Sequence, residues 1–212
     1  AIRQCAQYDP SYRVEAVALR MLGKVKDKDS VTFLESSISR ASHNAMAQTA
    51  IYNSLADLED EVSWDYLIRG AEYGAHRNSR QAAMRALAKL ANRYPHRKRE
   101  VIEHLKRFAL EKRGTPAAVF RGKLGAILAM KELDDLSAIP VLRQIADNET
   151  DGRMRRRAED TIIYLQESAN KPKEIRGLRS DLDDVIAENK SLRERMNMME
   201  EKQATKFRKI KR

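Results

Sequence analysis

The sequence predicts an all-α chain: a right-handed α-α superhelix of about five helical hairpins, followed by a coiled-coil helix. Three observations lead there. A helical phrase recurs five times, its spacing suits a helix rather than a strand, and the apolar period changes to a heptad near the C-terminus. The phrase reads small residue, three others, large apolar, two others, large apolar. Its copies are Ala18/Leu22/Val25, Ile51/Leu55/Leu58, Ala83/Leu87/Leu90, Ala126/Met130/Leu133 and Ala158/Ile162/Leu165. Steps of four and three place each trio on one helical stripe. Successive copies are separated by 33, 32, 43 and 32 residues, a period that marks stacked helical repeats.

Four further apolar-periodic segments alternate with the marked helices: Ser30–Ile38, Val62–Tyr73, Arg97–Lys112 and Ser137–Ala146. Each pairs with the marked helix after it into a hairpin. Turn signals separate them at Asp27-Lys28-Asp29, Glu59-Asp60-Glu61, Tyr94-Pro95 and Asp134-Asp135. Asp29, Asp60 and Asp135 are expected as N-caps, because a carboxylate accepts the free amides of a first turn. Pro140 falls early in its helix, where a missing amide costs little. The 43-residue interval holds a longer first helix and a longer loop through Gly114-Thr115-Pro116, an insertion expected on one rim of the stack. Residues 1–7 read as the end of a helix whose beginning lies upstream, so the chain is expected to be cut from a longer protein.

After Leu165 the pattern changes. Asn170-Lys171-Pro172 breaks the helix, and heptads follow with Ile175, Leu182, Asn189, Met196 and Gln203 at a and Leu178, Val185, Leu192 and Met199 at d. A lone Asn at a favours an in-register pair of strands, so homodimerisation is expected. Fold-back of this helix against the last repeat is the alternative. The organisation is then 1–168 repeat domain, 173–205 coiled coil and 206–212 basic tail.

Composition bounds the function. The 212 residues carry a net charge of +10, with 41 basic and 31 acidic side chains. Five of the basic groups sit in Lys206–Arg212. No apolar run is long enough for a membrane span. The single cysteine, Cys5, excludes an internal disulfide and suits a reducing, cytoplasmic setting. No His-Glu-x-x-His pair, glycine-rich phosphate loop or nucleophile with a neighbouring base occurs. No catalytic, cofactor-binding or metal residue is therefore assigned. The candidate binding group is Arg153, Arg155, Arg156 and Arg157, which opens the last marked helix, where cations oppose the helix dipole and would suit an anion or acidic partner. Nucleic acid is a weaker candidate than protein. Arg13, Arg121 and Arg153 stand at the same place in their copies, which suggests pairing between repeats.

Two stretches, Tyr12 to Gly23 and Arg80 to Leu90, together with Asp151 to Ala158, resemble HEAT repeats over about residues 1–168. More narrowly, the Glu72-Tyr73-Gly74 turn and the Asp-Gly-Arg-rich last repeat before a heptad tail resemble the C-terminal helical domain of gluzincin (membrane-alanyl) zinc aminopeptidases. That resemblance implies an accessory domain that packs on an upstream zinc-binding catalytic domain and limits access to its chamber. The zinc motif itself is absent, so no catalytic residue carries over.

Overall fold

The computed structural model describes residues 1–26, 29–170 and 185. The chain divides into two compact units, Ala1–Gln166 and Glu167–Arg212. Among the described residues there are ten α-helices and no strand. The marked phrases all fall on helices: α2 (Tyr12–Val25), α4 (Met46–Leu58), α6 (Arg77–Arg93), α8 (Pro116–Leu133) and α10 (Gly152–Asn170). Between them run α1 (Ile2–Tyr8), α3 (Ser30–Ser37), α5 (Trp64–Ala71), α7 (Lys98–Ala109) and α9 (Ile139–Asn148). The first unit is thus the helical-repeat stack that the sequence predicts.

The marked helices pack in series, α2 on α4, α4 on α6 and α6 on α8, while α1, α3, α5 and α7 cover their own partners. One continuous core results, and side chains of α9 and α10 join it. Of the fifteen marker side chains, Leu58 and Ile162 are partly buried and Val25 is 57% exposed; the rest are buried. Val25 leaves the predicted stripe because it ends α2. The next residue, Lys26, turns left-handed at φ 53°.

Small residues set how closely the marked helices approach. A Cβ on Gly23 would stand 2.6 Å from Ser54 Cα, and one on Gly125 would stand 3.0 Å from Met84 Sδ. The Ser54 hydroxyl donates to the Leu19 carbonyl at 2.6 Å inside this seam, which satisfies a buried polar group with backbone one repeat earlier.

The turns follow the sequence signals with three differences. The Val62 amide donates to Asp60 at 3.0 Å and the Ser137 amide to Asp135 at 2.9 Å. These carboxylates cap short 3₁₀ turns, Glu61–Ser63 and Leu136–Ala138, that lead into α5 and α9. The covering helices therefore begin two residues later than predicted. Asp29 makes no side-chain capping bond. The segment predicted as helix over 97–112 is helical over 98–109, because Pro95 starts a 3₁₀ turn and the loop begins at Leu110. Pro140 lies in the first turn of α9.

Gly23→Ala should cost about 1–3 kcal/mol, since backbone rather than a flexible side chain opposes the new methyl. Melting followed by circular dichroism should show Tm lowered by roughly 2–12 °C, at the roughly 2–4 °C per kcal/mol typical of a chain this size. An unchanged Tm would refute the close seam between α2 and α4.

Candidate protein-interaction surface

Charge along the marked helices is paired across repeats. Asp57 of α4 accepts Lys24 of α2 at 3.6 Å and also Lys89 of α6. Glu59 does the same for Lys26 at 3.3 Å and Arg93 at 3.8 Å. Arg85 meets Glu132 at 3.1 Å, and Lys123 meets Glu149 at 2.6 Å. The solvent-exposed pairs among these, such as Arg85–Glu132, stabilise little individually. Their consequence is electrostatic: they interrupt the cationic track that a nucleic-acid backbone would need.

The helix α2 carries the largest anomaly. Val14, Val17 and Met21 are 44%, 61% and 45% exposed on one face. They stand four before, one before and three after the small residue of their phrase. At four before, the other copies hold Ala47, Ser79, Gly122 and Met154, all buried. At three after they hold Ser54, Ala86, Ala129 and Thr161, again all buried. At one before, Ala50, Ala82 and Gly125 are buried, and the last copy has exposed Arg157. Within the stack, Gly122 and Gly125 lie against Arg80, Gln81 and Met84 of the preceding marked helix, and Ser54 against α2. The exposed stripe of α2 is thus the helix-receiving face of a repeat, open to solvent.

This face could have been found by aligning the five copies at all offsets rather than at the markers alone. Elsewhere those offsets are filled mainly by Ala, Gly, Ser and Thr, which let helices touch. In α2 they carry larger side chains. Basic residues flank the stripe: Arg13, Arg20 and Lys24 are exposed on α2, and its one acid, Glu15, is buried against Arg40 at 3.1 Å.

The predicted arginine cluster does not converge on one point. Arg153 is held by Asp151, with Nη2 at 2.7 Å, and lies over the Phe120 ring of α8 at 5.1 Å. The Arg155 guanidinium donates to the Glu149 carbonyl at 2.9 Å. Met154 between them is buried, while Arg156 and Arg157 are exposed. The ion pair of Arg153 is local to its own loop, not the inter-repeat pairing its repeated position suggested. Arg13 and Arg121 are exposed. Of the association residues, Ile175, Leu178, Leu182, Asn189, Leu192, Met196 and Met199 lie outside the described residues; Val185 is 51% exposed.

Residues 1–88 match a family model described as HEAT repeats. That segment is similar to HEAT repeats. The match spans α1 through most of α6, and the marked helices beyond it continue the same core. The helical stack is therefore longer than the segment matched. No curated protein matches the chain, and nothing in these findings points to a zinc aminopeptidase. Among the described residues no helix is long and apolar enough to cross a membrane. No three His, Cys, Asp or Glu side chains among them gather as metal ligands. His76, one repeat beyond His43, accepts the Asn78 amide at 3.3 Å and so caps α6.

The Asp151 carboxyl titrates at about 2, because the Arg153 side chain hydrogen-bonds it first and the Arg153 amide second. A lowered carboxylate pKa stabilises the fold above the ordinary value of 3.8 and loses that contribution as pH falls towards 2. Carbon-detected NMR titration should place the Asp151 midpoint near 2. Arg153→Ala should move it up towards 3.8. A midpoint indifferent to that substitution would refute the assignment.

Proposed function

We propose that this HEAT-repeat unit is a non-catalytic scaffold that seats a helix of a partner protein on the open face of α2. One observation carries the reading: Val14, Val17 and Met21 are exposed at repeat positions that are buried against a helix in the interior of the stack. An amphipathic helix with apolar residues at i, i+3, i+4 and i+7 would fill that face as a marked helix fills the next one. Arg13 and Arg20 favour acidic residues at its margins, which raise association rate and specificity more than affinity.

A photo-cross-linker at position 17 should capture a defined partner. The same group at Thr32, exposed on α3, should not. Met21→Asp should abolish capture from position 17. Equal capture from both positions, or capture indifferent to Met21→Asp, would overturn the proposal.

Two narrower parts of the reading rest on sequence. The heptads from Ile175 to Met199 are proposed to join two copies in parallel. Sedimentation of the full chain should then show a concentration-dependent dimer that Leu182→Asp with Leu192→Asp abolishes, and a monomer at high concentration would reject it. From the resemblance of the last repeat and the Glu72-Tyr73-Gly74 turn to zinc aminopeptidases, the scaffold is also proposed to stand beside a catalytic domain. A His-Glu-x-x-His segment elsewhere in the reading frame supports that placement, and its absence rejects it.

A further inference from the structure

The extra residues of the third interval do more than lengthen a loop. Residues 110–115 connect α7 to α8 and close one side of a cleft of about 320 Å³. Its other walls are the Tyr73-Gly74-Ala75 turn and the first turns of α6 and α8. Three arginines line it: Arg77, Arg80 and Arg121.

Arg80 is the unusual one. Only 7% of it is exposed. Its Nε donates to the Ala71 carbonyl at 2.7 Å, and its Nη2 donates to Glu111 at 3.1 Å. Its Nη1 has no hydrogen-bond partner among the described residues. That nitrogen would lie 3.3 Å from a Cβ on residue 122, so Gly122 leaves the space in front of it open. A nearly buried guanidinium thus turns two charge-bearing N–H bonds towards the cleft. Glu111 cannot neutralise the rest of the site. Its second oxygen already accepts Arg113 at 2.6 Å, and Arg113 stacks over Tyr73 at 4.7 Å. Arg77 and Arg121 are exposed and make no hydrogen bond or ion pair among the described residues. The N-terminal ends of α6 and α8 add partial positive charge from the same side.

We infer that this cleft binds the side-chain carboxylates of an acidic peptide segment in a partner protein, and that Arg80, Arg77 and Arg121 hold them. The inference rests on the reading of the unit as a protein-binding scaffold. The arginine fork matches a planar carboxylate with two parallel hydrogen bonds. The volume takes one or two side chains. Tyr73, Ala75 and Ala118 give it apolar walls suited to a large side chain next to the acid. A peptide is favoured over a nucleic acid because Lys24, Arg85, Lys89, Arg93 and Lys123 along the marked helices are paired with acids, which interrupts a continuous track for a phosphate backbone.

The test is fluorescence anisotropy on the full chain. The probe is a labelled peptide with paired glutamates beside a phenylalanine. The controls are its glutamine counterpart, inorganic phosphate as competitor and a labelled single-stranded oligonucleotide. The glutamate peptide should saturate, and the glutamine peptide should bind roughly tenfold more weakly or worse. Arg77→Ala with Arg121→Ala should weaken the glutamate peptide by a similar factor. Both side chains are unpaired, so circular dichroism should show an unchanged fold. Amide shifts on binding should centre on Ala75, Thr115 and Ala118. Equal affinity for both peptides, or for the double variant, overturns the inference. So does phosphate displacing the peptide at peptide-like concentrations, or oligonucleotide binding that the double variant weakens. Val17→Asp should leave peptide binding intact. Loss of the cleft with cross-linking at position 17 preserved therefore refutes this inference alone.

Discussion

Everything in the repeat unit depends on how closely one marked helix can approach the next. Close packing is a matter of volume: a core at crystal-like density tolerates neither an added methyl nor a missing one without cost. Gly23 against Ser54 and Gly125 against Met84 leave backbone and short side chains at the seams. The larger apolar residues Leu19, Leu55, Leu87 and Met130 are fully buried in one continuous core shared with side chains of the covering helices. The marked helices consequently form the tight layer and the covering helices a looser one. The charged side chains at the edges of that layer end up within ion-pairing distance of their neighbours in both directions. Asp57, between Lys24 and Lys89, is a by-product of the seam's width.

The same constraint explains why the face of α2 is informative. A repeat receives its neighbour through small residues when a helix must come close. Val14, Val17 and Met21 occupy those positions with longer side chains. A helix seated there would stand further from α2 than α2 stands from α4, and would be gripped by side chains rather than by backbone proximity. That geometry suits a separate helix better than an ordinary seam does. The apolar stripe and its cationic margins act on different terms, the first on the area removed from water and the second on the encounter.

Much of this was legible in the sequence because its signals are local. Periods of three and four place side chains on a stripe without knowledge of the fold, so all five marked helices and their covering partners could be placed. The errors fell where a turn decides the outcome. Asp60 and Asp135 cap 3₁₀ turns rather than α-helices, and Pro95 shortens α7, because short turns of either kind accept the same residues. Site features were less legible. Four arginines in sequence at 153–157 look like a site, yet Met154 faces the core and Asp151 occupies Arg153. Arg80 gave no signal at all. Its role depends on Ala71, Glu111 and Gly122, which lie 9, 31 and 42 positions away and meet only when the fourth hairpin packs on the third.

Arg80 also bears on why the insertion exists. A buried ion pair is poor evidence for stability, since apolar residues of similar volume often do as well or better. If Arg80 and Glu111 served only to close the loop, a leucine and a methionine would serve equally. What an apolar pair could not do is present a fixed guanidinium to solvent through a gap kept open by glycine. Glu111 and Ala71 hold the fork by two of its nitrogens and leave the third, so the side chain gives up its conformational freedom on folding rather than on binding. An exposed arginine such as Arg121 gives up that freedom at the moment of contact. The cleft therefore combines one anchored cation with two mobile ones. The insertion is the element that anchors it, because Glu111 belongs to the loop that the third interval adds.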